Sequence, residues 1–370
     1  MFMARIAFVS DVVYPWTKGG MESIHYSEMR ELAKSNEVYC FCLQFDGMKK
    51  EFVKDGIYYV GVAKASTDEL YTEKGTRSIA LARRFASALP RVLNSRAYSF
   101  DLVYANSFPY LHLKAVKAYC KAHGSKLALD VSEVWSLKRW QAYLGRVKGL
   151  ASYHYSKNAL KGADAYIANS STTAKELEGL GIPKARITVL SPVIDLRKMP
   201  KLGGKRPIVV YAGRLIREKR LDLWVESVAK AHGLNPRIKG LIIGSGPEED
   251  AVRELIGKYH FIGMRKPYPT KAQLYKMLGS SMCMLNMSER EGLSIIAIES
   301  AAIGTAPVLP SYTPIPKEAK ELSIVRDVGD IPKAIADIAS GRIKYKAERK
   351  KLERFEVGRI EGAFRRLLAV

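Results

Sequence analysis

The sequence predicts an α/β protein of two domains, each built on a parallel sheet wound with helices. Three observations lead there. Short apolar runs alternate with amphipathic stretches along the whole chain, the pattern of repeated strand–helix units. The alternation restarts after 198–207, K-M-P-K-L-G-G-K-R-P, a stretch rich in Gly, Pro and Lys that reads as a linker. A chain of 370 residues with 47% hydrophobic content is also long for a single core. The predicted domains are therefore 1–197 and 198–349, with a helical, highly basic tail beyond.

In the first half, Arg5 to Ser10 is a predicted strand, D-V-V-Y-P-W-T-K-G-G at 11–20 a loop, and a helix starts near Met21. Glu22 then stands in the first turn, where the helix dipole favours an acid. Strand, glycine loop and helix in this order is how α/β folds bind phosphate, which makes Gly19 and Gly20 candidate ligand-binding residues. An ordinary βα turn reads equally simply. No G-x-G-x-x-G is present, so a nicotinamide site is not supported. Further strands are predicted at Glu37 to Leu43, Tyr58 to Ala63, Leu102 to Ala105, Leu127 to Val131, Ala165 to Ala168 and Ile187 to Leu190. Three end in polar residues, Asn106-Ser107, Ser132-Glu133 and Asn169-Ser170-Ser171, as the carboxyl ends of a parallel sheet do when they build a crevice. Arg77 to Leu93 reads as a helix with Ala82, Phe85, Leu89 and Val92 on one face, broken or kinked near its end by Pro90. Lys138 to Tyr155 reads as one helix carrying Trp140, Tyr143, Leu144, Val147 and Ala151 at helical spacing beside Lys138, Arg139, Arg146 and Lys148. Such a stripe suits a membrane surface. It equally suits a helix packed on the sheet with a solvated basic face, and both readings stand.

The second half opens with a strand, Ile208 to Tyr211, running into A-G-R-L-I-R-E-K-R-L-D, which places Arg214 and Lys219 five apart on a strand-to-helix turn. A second strand, Leu241 to Ile243, runs into G-S-G-P with Gly244 and Gly246, and His260 to Gly263 forms a short strand around Ile262. Leu274 to Leu278 is a short helix and Cys283 to Asn286 a strand. Then comes S-E-R-E-G-L-S-I-I-A-I-E-S-A-A-I-G-T-A-P-V-L-P at 288–310. Its apolar run reads as a buried helix beginning near Ser294 and capped by Gly304, followed by a strand from Ala306 to Leu309. Glu291 precedes Gly292, where backbone approaches a ligand closely. Glu299 falls about a turn and a half inside the helix. The free N–H groups after Gly292, around Leu293 and Ser294, favour an anion. Two acids flanking an amide-rich helix start suit a ligand with hydroxyls at both ends and phosphate between.

Composition narrows the classes. The net charge of +23 implies an anionic partner: nucleic acid, an acidic membrane surface or a phosphorylated substrate. No aromatic-basic recognition motif accompanies it, which disfavours nucleic acid. The four cysteines form no C-x-x-C pair and read as buried thiols. No apolar run spans a bilayer, and the N-terminal segment is too short for a signal peptide, so the expected location is cytoplasmic. The six histidines show no metal-ligand spacing and no D-x-D occurs, so no metal or cofactor is expected.

The stretch from Ser288 to Pro310 closely resembles the Glu-x7-Glu motif of retaining glycosyltransferases with the GT-B fold, in particular their large family 4. The resemblance extends to the G-R-x4-K element at Arg214 and Lys219, the G-x-G-P turn at 244–247 and the Gly-Gly pair at 19–20. It implies a GT-B fold, two Rossmann-like domains facing each other across a cleft, with a terminal helix at about 350–370 packing back on the first domain. It implies a nucleotide diphosphate-sugar donor and metal-independent transfer of a hexose with retention. Arg214 and Lys219 would neutralise the diphosphate. Glu291 would contact the sugar and Glu299 the ribose, the backbone near Ile262 would read the base, and Gly19, Gly20, Gly244, Gly246, Gly292, Leu293 and Ser294 would line the donor. The acceptor would be a glycan, a lipid-linked saccharide or a small molecule, with the charge favouring an anionic membrane and a peripheral place on its inner face. The first half departs from the family. Many relatives carry a His near the end of the fourth or fifth strand, where this chain has Asn106 and Glu133. D-V-S-E-V-W at 130–135 is similar to a D-x-R-D-L-W variant, and makes Glu133 the candidate contact to sugar or acceptor. S-P-V-I-D at 191–195 keeps only the tail of the family's P-N-G-V-D. A sugar-nucleotide epimerase of the same fold and a nucleic-acid-associated module remain the alternatives.

Overall fold

The computed structural model describes residues 3–17, 19–72, 76–95, 99–191, 194–200, 203–268, 270–289 and 291–369. Lys18 of the glycine loop, Pro192 and Val193 of S-P-V-I-D, and Lys201 and Leu202 of the linker lie outside them. The chain forms two compact units, Met1–Pro192 with Val357–Val370, and Val193–Glu356.

The first unit runs β1 (Arg5–Val9), α1 (Gly20–Leu32), β2 (Glu37–Phe45), β3 (Glu51–Lys54), β4 (Ile57–Ala65), α2 (Ile79–Asn94), β5 (Leu102–Asn106), α3 (Leu113–His123), β6 (Lys126–Val131), α4 (Leu137–Leu144), α5 (Arg146–Leu160), β7 (Ala165–Ala168), α6 (Ser171–Gly179) and β8 (Ile187–Val189). The sheet order is β3-β4-β2-β1-β5-β6-β7-β8, with only the β3–β4 pair antiparallel. Both faces are covered, so the central strands are mostly apolar and their side chains alternate between two cores. Ala7 and Val9 of β1 face α2, where Leu81, Phe85, Leu89 and Leu93 form the buried stripe. Ile6 and Phe8 face α1 and the terminal helix Arg359–Ala369. Phe364 of that helix packs 5.0 Å from Tyr104 and 5.9 Å from Phe8, ring centre to ring centre.

Four expectations change. The edge strand β3 is unforeseen, although Asp55-Gly56, both left-handed at φ 52 and 77, is the dipeptide of a two-residue hairpin. Pro90 does not end α2, which continues to Asn94 because its buried stripe carries through Leu93. The stretch 138–155 is two helices, because Gly145 adopts φ 82 and turns the chain back. A β-carbon on Gly149 would lie 2.5 Å from Gln141 Cα, so α4 and α5 touch almost backbone to backbone. The basic tail is not one helix either. A 3-10 turn at Glu353–Phe355 ends in extended Glu356, with Ile194 N–H donating to the Phe355 carbonyl and Ile194 bridging Glu356.

The second unit runs β9 (Arg206–Ala212), α7 (Leu221–Leu234), β10 (Lys239–Ile243), α8 (Glu249–Ile256), β11 (Ile262–Arg265), α9 (Lys271–Ser280), β12 (Ser281–Leu285), α10 (Ile295–Ile303), β13 (Ala306–Pro310), α11 (Lys317–Lys320), β14 (Ile324–Arg326), α12 (Ile331–Ala339) and α13 (Arg349–Leu352). All its strands are parallel, in the order β11-β10-β9-β12-β13-β14. This is the doubly wound 3-2-1-4-5-6 order, whose direction reverses between its first and fourth strands. Fully buried Trp224 of α7 anchors one helix layer, donating its indole N–H to the Leu285 carbonyl at 3.1 Å. The loops leaving β9 and β12 sit side by side at the reversal, where doubly wound sheets hold ligands.

Candidate functional site

Those two loops bring Lys219 and Glu291 together, a pairing that the sequence does not announce. Lys219 Nζ donates to Glu291 Oε1 at 2.7 Å. Asn286 Nδ2 reaches the same oxygen at 2.7 Å. The Ser288 hydroxyl shares its one proton between Glu291 Oε1 at 2.7 Å and Asn286 Oδ1 at 2.6 Å. Burial pushes the Glu291 carboxyl up, but the Lys219 ammonium and these hydrogen bonds outweigh it and hold the pKa below the ordinary carboxylate range. The loops are also tied through backbone, Glu289 N–H donating to the Glu218 carbonyl at 2.9 Å. Arg214 is exposed on the β9 loop, its carbonyl fixed by the Tyr211 hydroxyl at 2.7 Å.

Helix α10 then presents the second acid. Glu299 is 3% exposed, and its Oε1 accepts from Lys271 Nζ at 2.7 Å and from the Tyr275 hydroxyl at 2.8 Å, both on α9. Burial, reinforced by the Glu299 charge, pushes the Tyr275 phenol well above its usual range, so it stays a donor. The helix mouths on this crest are strained. Arg220, just after Lys219, and Ser294, at the start of α10, are non-glycine residues with φ 47 and 58. Such conformations persist where surrounding structure enforces them, and they cluster at ligand sites. Gly292 is half-buried on the loop, while the Leu293 side chain is buried in the core beneath it.

Gly244 and Gly246 serve loop packing. A β-carbon on Gly244 would lie 2.2 Å from the Gly213 carbonyl oxygen, and one on Gly246 would lie 2.4 Å from that of Leu215. Leu215 N–H donates to Ser245 O at 2.9 Å and Glu248 N–H to Leu215 O at 3.0 Å, lacing the β9 and β10 loops together. Gly244→Val should therefore destabilise the chain by about 1–3 kcal/mol through overpacking. The urea midpoint measures this, and an unchanged midpoint would show that the loops can separate freely.

The first unit has its own crest at the β1–β5 reversal. Buried Asp11 pairs with Arg77, whose backbone N–H donates to the Tyr143 hydroxyl at 2.6 Å. Glu133 Oε2 accepts from Arg139 Nη1 at 2.6 Å and Trp135 Nε1 at 3.0 Å, and the Arg139 guanidinium lies 3.6 Å over the Trp135 ring. Gly19 and Gly20 begin α1, and a β-carbon on Gly19 would strike the Glu22 carboxylate at 1.9 Å. Among the described residues no three His, Cys, Asp or Glu side chains are grouped to hold a metal ion.

Residues 18–198 match the family described as Glycosyltransferase Family 4, and residues 194–354 match Glycosyl transferases group 1. The whole chain superposes on sucrose-phosphate synthase from Thermosynechococcus elongatus with TM-score 0.77 at 16% identity, covering 99% of both chains. The chain belongs to the GT-B glycosyltransferases. Two further structures share the fold. One is Anabaena HepE in complex with UDP-glucose (TM-score 0.71, 12% identity, 99% of each chain). The other is the lipopolysaccharide outer core galactosyltransferase WaaB (TM-score 0.63, 18% identity, 98% of this chain and 99% of that one). No curated protein sequence matches the chain significantly.

The second unit of this glycosyltransferase brings together Arg214, Lys219, Glu291, Gly292, Ser294 and Glu299 around two neighbouring loops and one helix. Ile262 does not join them. It opens β11 at the end away from the crest, and its side chain lies in the core beside Gly240 and Trp224. The carboxyl end of that strand is Arg265, stacked on Tyr268 at 4.4 Å. Sequence reasoning also misses Lys271, Tyr275 and Asn286. The capping box Thr270–Gln273, which fixes the start of α9, is the one local signal that places Lys271. In the first unit of the glycosyltransferase a histidine does stand near Asn106. His112 is buried, its Nε2 lies 2.8 Å from the Asn106 carbonyl, and burial pushes its pKa down, so the ring is neutral.

Proposed function

We propose that this glycosyltransferase moves a hexose from a nucleotide diphosphate-sugar to an acceptor hydroxyl, with retention and without a metal ion. The observation that carries the reading is the matched pair of glutamates. Each has Oε1 engaged by fixed donors, Lys219, Asn286 and Ser288 at Glu291, and Lys271 and Tyr275 at Glu299. Each carboxylate is thereby oriented to offer Oε2 to hydroxyls, those of the sugar at Glu291 and of the ribose at Glu299. The anomeric carbon–oxygen bond breaks, the acceptor oxygen bonds that carbon, and the acceptor's proton passes to the departing phosphate. The diphosphate gains negative charge in that step, and Arg214, Lys219 and the free amides at the start of α10 are placed to receive it. HepE, solved with UDP-glucose, and WaaB, a lipopolysaccharide outer core galactosyltransferase, supply the analogy for a uridine donor and a lipid-borne saccharide. Glu133, already neutralised by Arg139, is assigned to orienting the acceptor.

Thermal unfolding with a panel of nucleotide diphosphate-sugars tests the donor. At about 100 times Kd a ligand adds about 2.7 kcal/mol, a rise of several degrees in Tm. Glu299→Gln should keep the fold and abolish the rise. No rise with any donor, with or without metal, would overturn the assignment. The anomeric configuration of the product, read by NMR, decides retention.

A further inference from the structure

The foot of the first unit's sheet holds a cavity of about 680 Å³, at the amino ends of β6 and β7. Those strands carry the crest at their other ends, roughly 15–20 Å away along the sheet. Four cations line the cavity: Lys117 and Lys121 of α3, Lys126 at the start of β6, and Arg186 in the turn before β8. None of them forms an ion pair among the described residues. Two have structural duties. Lys117 Nζ donates to the Ala159 and Lys161 carbonyls, both at 2.6 Å, and Lys126 Nζ to the Leu368 carbonyl at 2.6 Å. Each ammonium keeps at least one proton beyond those bonds. Lys121 and Arg186 are exposed. Ser125, 7% exposed, lines the same cavity, and its hydroxyl has no hydrogen-bond partner among the described residues. A buried hydroxyl left unpaired costs free energy, and so does a half-buried ammonium such as Lys117, whose pKa burial pushes down. The helix dipole accounts for basic residues at the end of α3. It does not account for Arg186, which comes from another segment, or for the unpaired hydroxyl. Asp164 also lines the cavity. Its Oδ2 accepts from Leu127 N–H at 2.8 Å, which leaves Oδ1 for a hydroxyl.

We propose that this cavity binds a small phosphate monoester that carries hydroxyl groups, at a site separate from the crest. Arg186, Lys121 and Lys117 hold the phosphate, the first by forked contacts and the lysines as compact charges. The Ser125 hydroxyl donates to it, and Asp164 accepts from a hydroxyl of the ester. The volume is that of a small-molecule pocket and exceeds what a bare ion fills. A nucleic acid strand, charged all along its length, would meet Asp164 as well as the cations. The inference goes beyond the transferase reading and does not rest on it.

The test is isothermal titration calorimetry of the full chain with ribose 5-phosphate, and with inorganic phosphate at matched ionic strength. The ester should bind more tightly than phosphate. Lys121→Gln with Arg186→Gln should weaken the ester about 100-fold, about tenfold for each charge-assisted hydrogen bond lost. Ser125→Ala should weaken it several-fold, yet leave the thermal midpoint of the empty chain unchanged or higher, since no hydrogen bond is lost there. Asp164→Asn should keep the bond to Leu127 and erase the preference for the ester. Lys219→Met, at the crest, should bind the ester as the wild type does. No binding of the ester, equal affinity for ester and phosphate in the wild type, or undiminished binding in the Lys121 and Arg186 double variant would overturn the proposal. Loss of binding in Lys219→Met would overturn it too, by returning the ester to the crest of the second unit.

Discussion

Lys219→Met should lower kcat/KM for transfer about 100- to 1,000-fold, the loss typical of removing one group that stabilises developing charge in a shielded site. The same change should also cost stability. Lys219 and Glu291 side chains are 19% and 14% exposed, so the methionine leaves a mostly buried carboxylate held, among the described residues, by Asn286 and Ser288. Losing a hydrogen bond to a charged group costs about 1.5–3 kcal/mol. In the wild type the Glu291 pKa is depressed, so its contribution is present above the unfolded carboxylate range and is lost as pH falls through the folded value. In the variant burial is no longer outweighed, the carboxyl rises, and the acid limb of the pH–rate profile moves to higher pH. Adding Glu291→Gln to Lys219→Met should restore most of the stability, because no charge is left unpaired, and should restore no activity. Stability and activity recovering together in the double variant would show that Lys219 acts only as a structural counter-ion.

How much of this was legible beforehand follows from where the groups lie. Arg214 with Lys219, and Glu291 with Glu299, sit in short contiguous stretches whose spacing is itself the signal. The second unit's parallel sheet likewise follows from a plain alternation of strand and helix. Contacts closed by the fold have no such spacing. Lys271 and Tyr275 meet Glu299 from 28 and 24 residues away, and Arg77 meets Asp11 across 66. The reading of 138–155 failed at a single residue. Helical spacing carries through Gly145 on paper, but its φ of 82 turns the chain back and sends Val147 to the opposite side from Trp140. Ile262 failed for a directional reason, since a strand assigned two residues early puts its core-facing end where the crest should be.

Raising the pH from about 6.5 to 9 should progressively destabilise the first unit, because its buried charge cluster is held together by bound protons. His25 of α1 lies 2.5 Å from Asp130 of β6, both buried. Burial opposes charge on the ring, but the Asp130 hydrogen bond and charge, aided by Glu28 and Glu22, outweigh it and push the pKa up to about 9. Glu28, one turn on from His25, is pushed up to about 8 by burial, with the Asp130 charge adding to the rise and His25 opposing it. Tyr104 of β5, also buried, has its phenol pushed far up by burial and by both carboxylates. Both raised groups hold protons in the folded chain that the unfolded chain releases sooner. The stability they contribute is complete below their unfolded values and disappears as pH climbs through about 8 for Glu28 and about 9 for His25. The thermal midpoint should fall across this window, and Glu28→Gln should remove the earlier part of the fall. A midpoint that stays flat or rises between pH 6.5 and 9 would refute the arrangement. His25→Leu removes the cation alone and should cost about 3–5 kcal/mol at neutral pH, as breaking a buried pair does. His25→Leu with Asp130→Leu should recover most of that loss. Because His25 ties α1 to β6 through Asp130, the start of that helix at Gly20 moves with it. Donor binding should therefore weaken in the single variant if the Gly19-Gly20 turn touches the ligand, and stay unchanged if that turn is only a connection.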